Sequence, residues 1–309
     1  MNASLRSSDG DGAVHVSLAE LLALRARVGK VSLPPQASRA NRAGLQSSRL
    51  YGRGMDYAES RIYQNGDDVR RLDWRLTARS GKLHTKLFQE EREGRLLIVL
   101  DGHASMRFGT RVRFKSVQAA RAAAWAAWHA VKAGERVGLM GFGAHDGLLV
   151  PRAGPRGALA VCGALADWDA QTAAPRAEPL SQVLRNVGRV LHGASRVLLI
   201  TDGACSDEAS RRHLVPLARQ ARLGVLAVVD PLEAAPTPIG RYPLEHDGER
   251  VEWIVGSARQ QQVLPQLLGA GHARLLALTK AAGAVCRTVD TTEDPFDAVA
   301  ALLGRRGRA

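Results

Sequence analysis

The chain has 309 residues and a mass of 33.1 kDa, with 45% hydrophobic and 24% charged residues, which excludes disorder as the dominant state and leaves room for one large domain or two modest ones. Its net charge of +13 raises nucleic acid and anionic membranes as partners, yet 37 of the 43 basic residues are arginines scattered along the whole length, with only 14 aromatics among them. That dispersal implies diffuse anion attraction and argues against sequence readout.

No apolar run approaches the roughly 18 to 20 residues of a bilayer span, and MNASLRSSDGDG at the start has no signal-peptide core, so a cytoplasmic chain is expected. Cys162, Cys205 and Cys286 are widely spaced without a CxxC pair, which supports neither a disulfide framework nor a zinc knuckle. Residues 1–12 are polar and glycine-rich and are expected to be disordered. Ser17 to Val28 reads as a short amphipathic helix with a serine cap, and Gly29 ends it. Lys30 to Arg53 holds five positive residues and no acid, and its prolines and serines predict an extended arm. The expected organisation is an N-terminal helix with a flexible basic arm over 1–44, a charged segment packing on the core over 45–94, a sheet domain over 95–304 and a basic tail over 305–309.

From Arg95 onward, almost wholly apolar strands alternate with helical segments, a pattern of strands buried on both faces. Strands are predicted at 95–101, 136–142, 148–150, 196–202, 224–230 and 284–289. Helices are predicted at 113–132, 156–166, 179–192, 208–222 and 258–282. The fold class that follows is α/β, a doubly wound and mostly parallel sheet flanked by helices, with ligands expected at the carboxyl ends of the strands.

Three of those strands end in aspartate: Asp101, Asp202 and Asp230. A carboxylate there must be solvated, hydrogen-bonded or bound to a cation. Residues 101, 103 and 105 of Asp101-Gly102-His103-Ala104-Ser105 alternate toward one concavity, and Thr172 lies in a polar loop from a third segment. One or two carboxylates with hydroxyls form the hard-oxygen shell that Mg2+ or Mn2+ prefers.

The spacing of Asp101, Ser105, Thr172 and Asp202 resembles the metal-ion-dependent adhesion site of von Willebrand factor type A domains, with His103 where that pattern has its first serine. The run Arg61-Ile62-Tyr63-Gln64-Asn65-Gly66-Asp67-Asp68-Val69-Arg70-Arg71-Leu72-Asp73-Trp74, followed by Ala78-Arg79, is similar to the hallmark of the domain-of-unknown-function 58 family. Asp230-Pro231-Leu232-Glu233 also resembles a signature of that family. The resemblance implies a von Willebrand type A-like domain over the C-terminal two thirds. It also implies a MoxR-type AAA+ ATPase as partner, a client protein, and a metal site of Asp101, Ser105, Thr172 and Asp202 for Mg2+ or Mn2+.

Between Arg61 and Arg79, five arginines and three aspartates surround Tyr63, Leu72 and Trp74, and Asn65-Gly66 is a tight-turn signal. Such a network fixes geometry through bidentate pairs, and Arg61, Tyr63, Asp67, Asp68, Arg70, Asp73, Trp74 and Arg79 are the candidate partner-binding residues, with Trp74 expected to pack. There is no GxSxG elbow, no GxxxxGK[ST] loop and no HExxH, so a non-catalytic interaction module is the leading reading. Two rivals stay open: a nucleic-acid binder using Lys30 to Arg53 and the tail, and a metal-dependent hydrolase centred on Asp101, Ser105 and Asp202.

Overall fold

The computed structural model describes residues 12–30, 55–90, 94–171, 176–191, 196–246 and 249–304. Most of the basic arm, Thr172 and the tail at 305–309 lie outside the described residues. The described chain falls into two units, one made of 12–30 with 94–304 and the other of 55–90.

The first element, α1 (Leu18–Ala23), is capped as its sequence predicts: Ser17 Oγ accepts the Glu20 amide at 3.2 Å, and a 3-10 turn then runs over Leu24–Lys30. Leu21, Leu24 and Val28 are buried in the larger unit's core, and the Trp128 indole donates to the Leu21 carbonyl. This helix is therefore an integral part of the sheet unit.

The smaller unit is a hairpin of β1 (Met55–Ile62) and β2 (His84–Glu90), with α2 (Trp74–Ser80) in the connection. The Asn65-Gly66 turn is present, and Gly66 has φ 107°, a left-handed value that glycine adopts without strain. Arg61 pairs with Thr85 of β2 across this hairpin.

The larger unit continues with β3 (Arg95–Asp101), α3 (Lys115–Lys132), β4 (Arg136–Phe142), β5 (Leu148–Arg152), α4 (Pro155–Ala170), α5 (Leu180–Val190), β6 (Arg196–Thr201), α6 (Ser210–Gln220) and β7 (Arg222–Val229). It ends with α7 (Pro231–Ala234), β8 (Gly240–His246), β9 (Glu249–Val255), α8 (Ala258–Gln261), α9 (Val263–Leu268), α10 (Ala270–Ala281), β10 (Val285–Asp290) and α11 (Phe296–Leu303). Six strands form one sheet in the order β10-β7-β6-β3-β4-β5, parallel throughout except for β4 against β5. The doubly wound, mostly parallel α/β sheet flanked by helices is thus observed.

Alternation along β3 explains its unbroken apolar sequence. Leu96, Ile98 and Leu100 enter the core on one face, under the alanine-rich α3, while Leu97 and Val99 enter the core on the other, with α5 and α6. Strand order reverses between β3 and β6. That crevice is the topological switch point, where open α/β sheets place ligands.

Two elements differ from the sequence reading. The helix expected over 258–282 is three pieces, broken at Gln262 and Gly269. A Cβ on Gly269 would lie 2.6 Å from the Pro265 carbonyl and 2.8 Å from that of Glu233, so a close backbone approach requires glycine there. The β8–β9 hairpin was not anticipated, although Asp247-Gly248 between two strand-forming runs is a hairpin dipeptide. Among the described residues no helix is long and apolar enough to cross a membrane.

Candidate functional site

Asp101 and Asp202 meet at the switch point, since β3 and β6 are hydrogen-bonded neighbours in register. Both carboxylates are buried, at 3% and 5% exposure, so each needs donors. Asp101 Oδ2 accepts the Thr201 hydroxyl at 2.5 Å, with the Cys205 sulfur 3.7 Å away. Asp101 Oδ1 accepts the His103 amide at 2.9 Å and lies 2.7 Å from His103 Nδ1.

The other ring nitrogen of His103 determines the tautomer. Nε2 accepts the Glu178 amide at 3.1 Å, so in the neutral ring the proton sits on Nδ1 and is donated to Asp101. Gly102 allows this turn: a Cβ there would lie 2.5 Å from the His145 ring and 3.0 Å from the Phe142 carbonyl. The Asp101 hydrogen bond holds the imidazole above its ordinary pKa of 6.5 against the opposing effect of burial.

Asp202 is engaged by a residue that sequence reasoning had not singled out. Lys115, the first residue of α3 and only 2% exposed, places Nζ 2.9 Å from Asp202 Oδ2 and 2.6 Å from Glu233 Oε1. Burial alone would lower the Lys115 pKa, but the two carboxylates outweigh it and hold the ammonium above its ordinary value. Asp202 Oδ1 accepts the Ala204 amide at 2.9 Å. The Asp230-Pro231-Leu232-Glu233 motif now has a physical role. Asp230 and Glu233 form a reciprocal capping box on α7, and Glu233 reaches Lys115 with its other oxygen. Asp230, fully buried, also accepts the Thr110 amide and hydroxyl and the Thr291 hydroxyl.

Among the described residues, the expected metal ligands do not form a hard-oxygen shell. Ser105 Oγ favours one, being buried without a hydrogen-bond partner among the described residues, and Thr172 lies outside them. Against it, Asp101 is saturated by protein donors and Asp202 faces a buried ammonium that would repel a divalent ion. Asp101, His103 and Cys205 do bring three ligand-type atoms within 4.8 Å of one another. For Nδ1 to bind a cation, however, the ring proton would have to move to Nε2, opposite the Glu178 N–H. Burial, with Asp101 and Asp202 nearby, also pushes the Cys205 thiol well above its ordinary pKa. The residues present therefore do not fit the cation that the resemblance implied.

At Ser105 and Cys205 the described residues offer no free base. Both His103 nitrogens are committed to Asp101 and the Glu178 amide, leaving none to deprotonate Ser105, and Cys205 is held as a neutral thiol. The hydrolase reading therefore lacks a base paired with its nucleophile.

In the smaller unit, the aspartates of the hallmark do local structural work. Asp67 bonds Arg61 Nη2 at 2.7 Å and the Gln64 amide at 2.9 Å. Asp68 accepts the Arg70 amide at 3.0 Å. Asp73 caps α2 through the Leu76 amide and accepts the Ser60 hydroxyl, and these bonds hold its carboxyl below the ordinary range. Arg70 and Arg79 are exposed, and Tyr63 is half-buried. Trp74, expected to pack, is 66% exposed, because it sits at the first turn of a seven-residue helix whose neighbour Leu72 takes the buried position.

Residues 59–264 match the family model described as "Protein of unknown function DUF58". A stretch of 89 residues is 40% identical to the uncharacterized proteins Rv1480 of Mycobacterium tuberculosis (strain ATCC 25618 / H37Rv) and Mb1516 of Mycobacterium bovis, covering 29% of this chain and 28% of each relative. The match thus spans little more than a quarter of those relatives. Among solved structures, the conserved hypothetical protein BatB from Bacteroides thetaiotaomicron is similar at 15% identity and a TM-score of 0.46, over 68% of this chain and 97% of that one. An aerotolerance-related membrane protein from Bacteroides fragilis gives 15% identity and a TM-score of 0.44, over 68% and 96%. With more than half of its length matched by the family model, the chain belongs to the DUF58 family.

Proposed function

We propose that this chain is a non-catalytic, cytoplasmic protein-interaction module, an adaptor or partner of a MoxR-type AAA+ ATPase in the assembly or maturation of a client complex. The observation that supports it is the surface of the smaller unit. Trp74, Val69 and Ile62 are 66%, 61% and 57% exposed, and Arg70, Arg75 and Arg79 of the same unit are exposed as well. Fully burying one such side chain stabilises by roughly 1.5–3 kcal/mol, a gain this surface leaves to a partner. Tryptophan and arginine are also the residue types that dominate interface energetics. Clustered arginines select a partner surface rich in carboxylates. The choice of ATPase rests on the family resemblance.

Biolayer interferometry between the purified chain and a MoxR-type ATPase tests this reading. Binding is expected to weaken at least about tenfold in Trp74→Ala, equivalent to about 1.4 kcal/mol. The melting temperature of that variant should stay near the wild-type value, since the ring is mostly exposed. Absence of any complex with the wild-type chain removes the ATPase partnership, and undiminished binding by Trp74→Ala removes the surface.

A further inference from the structure

We infer that the switch-point carboxylates carry their own cation, the Lys115 ammonium, and that this face works without a divalent metal. The inference is independent of the partner proposed above. It starts from the donor count. A lysine ammonium has three N–H donors and no acceptor. Two are directed at Asp202 and Glu233, and the Phe108 ring lies 5.5 Å from Nζ. All of this is buried: the side chains of Lys115, Asp202 and Glu233 are 2%, 3% and 8% exposed.

Three segments distant in sequence converge on that nitrogen, from the start of α3, the end of β6 and the start of α7. One positive charge on two buried carboxylates leaves a residual negative charge. Backbone amides spread it: Ala204 donates to Asp202 Oδ1 and Asp230 to Glu233 Oε2. Asp101 is satisfied separately by the His103 ring and amide and by the Thr201 hydroxyl. A divalent ion entering here would have to displace a buried ammonium and rotate His103 away from the Glu178 amide.

A direct consequence concerns the variant that lacks the ammonium. In Lys115→Met the stem is kept and the charge is lost, so Asp202 and Glu233 become a buried, uncompensated pair of carboxylates. Such a pair is a divalent-cation site in the making, with oxygen donors that suit Mg2+ or Mn2+.

The experiment is a thermal melt of the full chain in chelator and in about 5 mM Mg2+, Mn2+ or Zn2+, alongside calorimetric titration with each ion. An ion present at about a hundred times its Kd raises the melting temperature by several degrees. The wild-type chain is expected to show neither that shift nor saturable heat. Lys115→Met is expected to melt lower in chelator and to recover several degrees with Mg2+ or Mn2+. Saturable binding to the wild-type chain that Asp101→Asn or Cys205→Ser abolishes would overturn the inference. So would a folded Lys115→Met chain that gains no ion response. Should Lys115→Met not fold, the triple variant Lys115→Met, Asp202→Asn, Glu233→Gln decides, because removing all three charges together should restore the folded circular dichroism signal. Failure of that restoration also counts against the inference.

Discussion

Asp230 offers the sharpest test of how the carboxyl ends of the strands are held. Its carboxylate is fully buried and accepts four hydrogen bonds: the Thr110 amide at 2.8 Å, the Thr110 hydroxyl at 2.5 Å, the Leu232 amide at 3.0 Å and the Thr291 hydroxyl at 3.0 Å. In Asp230→Ala the two hydroxyls can rotate toward other acceptors, but the two amides are fixed by the backbone. Both amides are part-buried, so each orphaned one costs up to about 1–3 kcal/mol, and the variant should lose about 1–5 kcal/mol of stability. Asp230→Asn keeps one oxygen but turns an NH2 toward one of the two pairs of donors, and about 1–3 kcal/mol is expected. The assay is equilibrium urea unfolding followed by circular dichroism, comparing midpoints at constant slope. A double-mutant cycle with Thr110→Val isolates the hydroxyl bond, with a coupling of about 1 kcal/mol. A loss below about 1 kcal/mol in Asp230→Ala would place it among ordinary surface substitutions and refute the view that this carboxylate ties the three loops together.

Leu21 is fully buried against the sheet unit, so Leu21→Ala should cost about 2–5 kcal/mol in the same assay, and a cost near zero would detach α1 from the core. Glu135 and Arg196 form a buried ion pair, with Arg196 also donating to the Leu303 carbonyl at 2.9 Å. Glu135→Ala strands the guanidinium and should cost about 3–5 kcal/mol, while Glu135→Leu with Arg196→Met should recover much of that loss. Burial, together with the nearby Arg196 and Lys132, lowers His129 from 6.5 to about 4. Above pH 6.5 the ring is neutral in both states. As pH falls below 6.5 the unfolded chain binds a proton that the folded chain refuses, so stability drops through this window. The melting temperature of His129→Phe should fall less between about pH 6.5 and 5 than that of the wild-type chain, and equal slopes would contradict the assignment.

The central strands were legible because they are buried on both faces, which forces runs such as Arg95 to Asp101 to be apolar at nearly every position. Parallel pairing then followed from the helices between them. The region 240–282 was less legible for a local reason. Leucines and alanines over 258–282 satisfy a helical period, yet a Cβ at position 269 would lie 2.8 Å from the Glu233 carbonyl, and that tertiary constraint leaves no mark except the glycine itself. Trp74 was misread through a general rule that tryptophans seek burial. Trp74 is 66% exposed, and Leu72, two residues earlier, occupies the buried position.

The site was half legible, and the missing half follows from how buried acceptors are satisfied. Aspartates at the ends of adjacent strands stand out in a sequence, because an apolar run stopping at Asp101, Asp202 or Asp230 is conspicuous. Their donors are not. Thr110, Lys115, Thr201 and Thr291 are common residue types in loops or at element ends, and each is recognised only when the fold brings it to a carboxylate. Lys115 lies 87 residues from Asp202 and 118 from Glu233. One signal was nevertheless present. A lysine at the first position of an eighteen-residue helix faces the positive end of the helix dipole, an arrangement that is unfavourable unless an anion compensates it. Two anions do. A cation at a helix N-terminus, in a chain whose apolar strands end in carboxylates, therefore points to an internal ion pair before it points to an external metal.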